Sequence, residues 1–130
     1  MRLKLVLAVV GRLTRLFSLA FIAPMLLALW EGELRSALSF AVAGGSSAVL
    51  GTLAGWRHET PRLFHRSEAM GVVAGTWMVI ACFAAVPYLF AGLPWDSALF
   101  ESMSGLTTTG ATVLEDFSLY DRSFFLWRAM

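Results

Sequence analysis

The sequence predicts an all-α membrane protein in which long apolar helices precede a short re-entrant helix and a polar loop. Hydrophobic residues make up 58% of the 130 residues. Only 15% are charged, against about a quarter in soluble domains. The apolar residues also fall in long uncharged blocks instead of the alternating patterns that build a soluble core. A lipid bilayer is therefore the expected environment.

The charge balance argues against a nucleic-acid partner. The net charge is +1, and the basic residues form no extended run that could follow a row of phosphates. The two histidines, His58 and His65, lie among arginines with no third ligand evident, which favours solvated loop residues over a metal site. No cofactor is expected.

The first transmembrane helix is predicted at about residues 12–30. No residue from Leu16 to Trp30 is charged, and a crossing needs roughly 20 residues. Arg12 and Arg15 are therefore expected near the headgroups, where long side chains can reach the surface. A cleavable signal peptide is the alternative, but arginines interrupt the apolar region and no small-x-small cleavage site follows it.

A second transmembrane helix is predicted at about residues 36–56, which carry no charge. Its glycines and serines favour close packing against another helix. Residues 57–68 hold three arginines and Pro61, and are predicted to form a cytoplasmic loop.

The third helix is predicted at about residues 69–90. The uncharged stretch continues to Trp95, which is longer than one crossing requires. Pro87, Gly92 and Pro94 place the end of the helix near Phe90.

Lysine and arginine predict the orientation. They gather before the first helix and between the second and third, while most acidic residues lie in the other loops. By the positive-inside rule, the N-terminus is cytoplasmic and the segment after the third helix lies outside.

A short helix is predicted at about residues 96–105, with Asp96 as its N-cap and Gly105 at its end. About ten residues cannot span a membrane. A threonine-rich turn and a further apolar start follow it, a pattern typical of a re-entrant loop. Irregular backbone at membrane depth must be satisfied by protein or by a water-filled path.

The turn at residues 107–111 is a candidate lining for such a path. Potassium sheds its water only where other oxygens replace it, and successive backbone carbonyls can supply them. Gly110 can adopt backbone angles closed to other residues, and threonine hydroxyls add oxygen without charge. The C-terminal end of the short helix, near Ser104, is also expected to direct its partial negative charge toward a cation. An ordinary polar turn outside the membrane is the alternative, and spacing alone does not decide between them.

The segment from Phe100 to Leu114, which reads FESMSGLTTTGATVL, closely resembles the first pore loop of the Trk/Ktr/HKT superfamily of potassium transporters. Residues 126–128 resemble the start of the helix that follows this loop, and residues 66–70 the entry to the third helix. The two helices before the pore loop resemble Trk-type members in particular.

The resemblance implies a four-fold pseudo-symmetric channel built from four helix-loop-helix units in one polypeptide. Residues 69–130 would form the first unit, with the start of its second helix at about 123–130, and the chain would be the N-terminal fragment of a longer protein. The implied filter residues are Thr107, Thr108, Thr109, Gly110 and Ala111. Potassium would bind at Thr108, Thr109 and Gly110 as the transported substrate.

The resemblance also implies a location and partners. The location would be the bacterial inner membrane, with the filter loop on the outer side. The full-length protein would form a homodimer that binds a cytoplasmic nucleotide-binding regulatory subunit. Symport is the implied transport class, although the residues identify neither protons nor sodium as the coupling ion.

Three further interpretations stay open. Glu101 and Asp96 could form a cation funnel, but bracing of the loop is favoured for Glu101. The 130 residues alone could be a structural fragment that does not conduct. An intramembrane hydrolase using Ser102 or Ser104 is disfavoured, because both histidines are predicted on the opposite membrane face.

Overall fold

The computed structural model describes residues 2–56 and 65–130, and these ranges contain helices and no strand. The helices are α1 (Leu3–Phe17), α2 (Ile22–Glu31), α3 (Leu34–Gly55), α4 (Arg66–Phe90), α5 (Trp95–Leu106) and α6 (Arg122–Ala129). Two short 3-10 turns occupy Ser18–Phe21 and Phe117–Leu119. The all-α class predicted from the sequence is confirmed.

Three helical segments are long and apolar enough to cross a membrane, as judged by length and composition: Leu3–Glu31, Leu34–Gly55 and Arg66–Phe90. The first of them joins α1, a 3-10 turn and α2. The turn lies where Pro24 cannot donate a hydrogen bond to the carbonyl of Ala20 and its ring crowds that carbonyl, so the backbone tightens just before the proline.

The first helix begins at Leu3, whereas the sequence predicts a start near residue 12. Arg12 and Arg15 therefore lie inside the helix. A helix satisfies its own backbone hydrogen bonds, and the apolar face of α1 that includes Leu5 and Ala8 is already buried before the arginines, so nothing interrupts it there. Counted back from the end of α2, the roughly 20 residues of a crossing reach Arg12. The headgroup position of Arg12 stays a prediction.

Helices α1 and α3 approach each other very closely, because glycines face each other at their contact. A Cβ atom added to Gly51 would lie 2.6 Å from the Gly11 carbonyl oxygen and 2.7 Å from the Arg15 amide nitrogen. A Cβ atom on Gly11 would lie 2.6 Å from the Cβ atom of Ala54. Real Cβ atoms do not come this close to backbone, so the contact requires glycine at both positions.

The predicted loop at residues 57–68 lies largely outside the described residues, since 57–64, including His58, are not described. The expectation was wrong for its last residues, because α4 already begins at Arg66. Glu68 lies in the first turn, 1% exposed, and its carboxylate accepts hydrogen bonds from the Arg2 amide (3.0 Å), the Arg2 guanidinium (2.9 Å) and the His65 amide (3.2 Å). These bonds cap α4 and fasten the N-terminal segment to it.

Trp127 of α6 lies at the centre of the core. Its ring stacks on Phe21 at 4.4 Å between centroids and meets Phe17 and Phe40 edge-on. Its indole N–H donates to the carbonyl of Ala84 at 3.2 Å. One side chain of α6 thus packs against α1, the 3-10 turn, α3 and α4 at once.

Polar contacts join the N-terminal ends of α3 and α6. The Ser36 hydroxyl donates to the Asp121 carboxylate, and the Ser123 hydroxyl donates to Glu33 at 3.2 Å. Burial and the nearby Asp121 raise the pKa of Glu33 above its ordinary value.

Candidate functional site

Helix α5 carries the candidate site at its C-terminal end. It begins at Trp95 with Pro94 as the N-cap residue, so the prediction that Asp96 is the N-cap was wrong. Proline has a fixed φ suited to the helix entry and no N–H group that needs a partner. The helix therefore begins directly after Pro94, one residue before the predicted start at residue 96. Asp96 lies in the first turn, where its carboxylate accepts the Ser97 amide at 2.8 Å and suits the positive end of the helix dipole.

The helix runs to Leu106, so it passes through Gly105, where the sequence predicts its end. Two nested hydrogen bonds close it: the Thr109 amide donates to Ser104 at 3.0 Å, and the Thr108 amide donates to Gly105 at 3.1 Å. This is the Schellman arrangement, whose left-handed position usually holds glycine. Here Thr108 holds it with φ 55, an uncommon conformation for a β-branched residue.

The turn at residues 107–111 is exposed. Within the described part of the chain, the carbonyl groups of residues 107–110 accept no hydrogen bond. Gly110 has φ +75, and a Cβ atom placed on it would meet nothing within 4 Å. The glycine is therefore required by the backbone angle and not by lack of space.

The carbonyl of Ala111 differs from those before it. It accepts the Ser104 hydroxyl at 2.6 Å. Ser104 is 6% exposed and lies in the last turns of α5, so it ties the end of the turn to the helix. The carbonyls of Ser104 and Gly105 are themselves engaged by threonine amides, which leaves them less available to a cation than the sequence predicts.

Glu101 holds the chain that follows the turn. Its side chain is fully buried, and its Oε1 atom accepts the Thr112 hydroxyl and the Val113 amide, each at 2.6 Å. A buried carboxylate engaged in this way cannot form the mouth of a cation funnel. Glu101 instead braces the loop, which is the interpretation favoured by the sequence.

Sequence reasoning missed the partner of this carboxylate. Arg128 of α6 places its Nε atom 3.2 Å from Oε2 of Glu101, close enough for an ion pair. The hydrogen-bond geometry is not met, and Oε2 accepts no hydrogen bond from any described residue. No sequence spacing connects two residues so far apart, although Arg128 is part of the motif that carries the family resemblance.

The two serines proposed as alternative nucleophiles are engaged with backbone. The Ser102 hydroxyl donates to the Ala81 carbonyl at 2.9 Å, and Ser104 donates to Ala111. Of the histidines, His65 is the one described, and it precedes Ala81 on α4 by about 24 Å at 1.5 Å per helical residue. His65 is therefore too far from Ser102 to act as its general base. The described residues also contain no cluster of His, Cys, Asp or Glu that could hold a metal ion.

The arrangement is suited to a weakly hydrated cation. Four unengaged carbonyl groups follow one another on an exposed turn, and buried side chains hold the chain behind them. Neutral oxygens in series can replace the water around potassium without binding it too tightly to leave.

The chain is similar to several potassium uptake proteins. It is 32% identical over 137 residues to the Trk system potassium uptake protein TrkH of Halomonas elongata. This alignment covers 98% of the chain and 27% of that protein. It is 32% identical to TrkH of Salmonella typhimurium over 100% of the chain and 28% of that protein. It is 29% identical to TrkG of Escherichia coli over 92% of the chain and 25% of that protein. No protein-family model matches the chain. The chain thus spans about a quarter of the length of these relatives.

Proposed function

Because this chain is a homologue of the Trk system potassium uptake proteins over nearly its whole length, we propose that it is a segment of a membrane potassium transporter and supplies one loop of its selectivity filter. The filter residues are Thr107, Thr108, Thr109, Gly110 and Ala111. The observation that carries the proposal is the row of exposed, unengaged carbonyl groups at residues 107–110.

The loop acts by replacing the hydration shell of potassium. Carbonyl groups of Thr108, Thr109 and Gly110 coordinate the ion, and the left-handed φ of Gly110 turns the chain so that successive carbonyls can share one side. One loop cannot encircle an ion, so four such loops surround the axis in the complete transporter. Ala111, whose carbonyl is held by Ser104, anchors the inner edge of the row.

The location and partners of the complete protein follow from the same proposal. Its N-terminus is cytoplasmic and its filter loop opens to the outside of the bacterial inner membrane, in keeping with the distribution of lysine and arginine. The protein is a symporter that works as a homodimer with a cytoplasmic nucleotide-binding regulatory subunit.

The decisive experiment is Gly110→Ser in the full-length transporter that contains this segment. Any side chain at φ +75 strains the backbone, so the carbonyls shift and the ratio of potassium to sodium uptake falls by about tenfold, equivalent to roughly 1.4 kcal/mol. Gly32→Ser is the matched control. Gly32 has φ +78 and equally open surroundings but lies in the turn between α2 and α3, outside the filter segment, so its variant keeps the normal ratio. An unchanged ratio in Gly110→Ser removes the proposal.

The 130 residues alone are expected to insert in a membrane without conducting. One loop leaves most of the ion's hydration shell unreplaced. Liposomes that contain only this segment should therefore show no potassium flux above that of empty liposomes, and a selective flux would contradict the requirement for four loops.

A further inference from the structure

The pairing of Glu101 with Arg128 affects the geometry of the proposed filter as well as the stability of the fold. Glu101 is 0% exposed and Arg128 22% exposed by side chain. Oε2 of Glu101 has no other partner among the described residues. A charge buried in the protein interior is costly unless an opposite charge lies close to it, and Arg128 places that charge 3.2 Å from Oε2 of Glu101.

The ion pair matters because the other carboxylate oxygen, Oε1, holds the chain that follows the turn. Oε1 accepts two hydrogen bonds of 2.6 Å, from Thr112 and Val113, and hydrogen bonds to a charged acceptor are stronger than neutral ones. The two oxygens belong to one rigid planar group. An attraction on Oε2 therefore fixes the position of Oε1 and of the chain bonded to it.

That chain begins directly after the proposed filter. Thr112 follows Ala111, whose carbonyl is already tied to Ser104, and the row of free carbonyls ends one residue earlier. A displacement of residues 112–113 is transmitted to Gly110 through only two peptide units, and each peptide unit is planar and stiff. The site thus has a support that comes from a different helix.

We propose that Arg128 is a positioning residue for ion selectivity: through Glu101 it sets the position of the chain behind the filter and hence the spacing of the carbonyl groups. The inference rests on the proposed filter and adds a residue of α6 that lies outside the filter segment 107–111. It predicts that Arg128 changes which ion is carried, and not only how much folded transporter is present.

The test measures the ratio of potassium to sodium uptake in the full-length transporter carrying Arg128→Gln. The ratio does not depend on the amount of folded protein, so a merely structural role would leave it unchanged. We expect it to fall by about tenfold, which corresponds to roughly 1.4 kcal/mol. Arg128→Lys keeps the charge and is expected to recover part of the loss, because an ammonium group can still approach Oε2.

Arg122→Gln is the matched control. Arg122 lies on the same helix, but its side chain is 85% exposed and its ion pair with Glu31 is long, at 3.7 Å. Exposed pairs of this kind contribute little, so the loss of Arg122 should leave the ratio normal. If Arg128→Gln does not fold because it strands the Glu101 charge, the double variant Glu101→Gln with Arg128→Gln removes both charges, and its ratio should also be lowered.

Two outcomes separate this inference from the proposed function. If Gly110→Ser lowers the ratio while both the Arg128→Gln and the double variant keep it normal, Arg128 has no positioning role and the filter proposal stands. If Gly110→Ser also keeps it normal, the filter proposal itself fails, and this inference fails with it.

Discussion

The crossing of α1 with α3 and the loop that follows α5 are two closely packed regions that are stabilised in different ways. At the crossing, Gly11 and Gly51 have no side chains, so two regular helical backbones can lie in contact. At the loop, Glu101 and Ser104 add buried polar side chains that bind irregular backbone. The first contact is made by absence of side-chain atoms, and the second by their presence.

The difference follows from what each backbone requires in a lipid environment. A helix satisfies its own N–H and C=O groups, so neighbouring helices need only fit sterically, and small residues are sufficient. The segment at residues 111–114 has no helical partners for its amides. It therefore depends on side chains from α5, and through Arg128 on α6. Substitutions should disturb the two contacts in different ways.

The largest effect is expected for Gly51→Ala. The new methyl group would lie 2.6 Å from a backbone oxygen of α1, and backbone cannot move aside as a flexible side chain can. Relative to its control, the variant should lose roughly 1–3 kcal/mol of stability, as in an overpacked core. Detergent-induced unfolding of the purified full-length protein measures this difference.

Gly45→Ala provides the control on the same helix. Gly45 is exposed, and an added Cβ atom meets nothing within 4 Å. Both variants gain the same helix propensity, about 1 kcal/mol, so their difference isolates the clash with α1. Equal stability of the two variants would show that α1 and α3 do not approach as closely as described.

Ser104→Ala tests the second kind of contact. It removes the hydrogen bond to the Ala111 carbonyl and should cost about 1 kcal/mol, the usual net value of one bond. The released carbonyl belongs to the proposed filter, so the ratio of potassium to sodium uptake should fall together with stability. Uptake of both ions and unfolding are measured on the same preparation.

Ser46→Ala is the corresponding control for a serine of α3. The Ser46 hydroxyl donates to the Val42 carbonyl of its own helix at 2.7 Å, and that carbonyl sits in an otherwise regular helix. Loss of the Ser46 hydroxyl should change neither stability nor ion ratio by a measurable amount.

A normal ion ratio in Ser104→Ala would mean that Ala111 is not a functional part of the loop.

Thr108→Gly is expected to have a smaller effect and the opposite sign. A left-handed φ costs a residue with a side chain about 1–2 kcal/mol, whereas glycine adopts it freely but loses about 0.5–1 kcal/mol in backbone entropy. The variant should therefore gain a few tenths of a kcal/mol up to about 1 kcal/mol. The midpoint of thermal unfolding reports the sign.

Thr109→Gly is its control, since Thr109 lies in the same exposed turn but is not among the described residues with positive φ. Thr109 has no backbone strain that glycine could relieve, so the Thr109→Gly variant should be destabilised by the greater backbone entropy of glycine in the unfolded chain. If both variants lose stability equally, Thr108 is not held in a strained conformation.

The sequence predicted the helical class and the three long apolar segments, because hydropathy over some twenty residues is a strong signal. It misplaced the start of the first helix, since Arg12 and Arg15 were taken as a boundary although the buried face of α1 already begins at Leu5. It also left Glu68 in a loop, because a buried pairing with Arg2 depends on a contact between distant parts of the chain.

For the candidate site, the motif located residues 107–111 and the bracing role of Glu101. Their identity as an ion filter stays a proposal. The sequence could not supply the partner of Glu101, because Arg128 reaches it from another helix whose packing is set by Trp127 and the aromatic side chains around it. Side-chain pairs of this kind become visible only once the helices are placed.

The smallest effect is expected at Asp116, in the connection between α5 and α6. Its Oδ1 atom accepts the Ser118 amide at 2.9 Å and the Ser118 hydroxyl at 2.6 Å, and these bonds hold the pKa of Asp116 below its ordinary value of 3.8. The stabilisation is therefore fully present above pH 3.8 and is lost as the pH falls through the lowered pKa. Hydrogen exchange of the Ser118 amide measures the change locally.

A local probe is needed because Glu33 responds in the opposite sense. Burial and Asp121 raise its pKa, so the folded protein binds this proton more tightly and its contacts gain stability as the pH falls toward 4.5. A global unfolding curve would add the two responses. Asp116→Asn keeps an acceptor oxygen but cannot titrate, so protection of the Ser118 amide should lose its dependence on acid pH. Unchanged acid dependence in that variant would assign the response to another carboxylate and leave the Asp116 cap without a role in the loop.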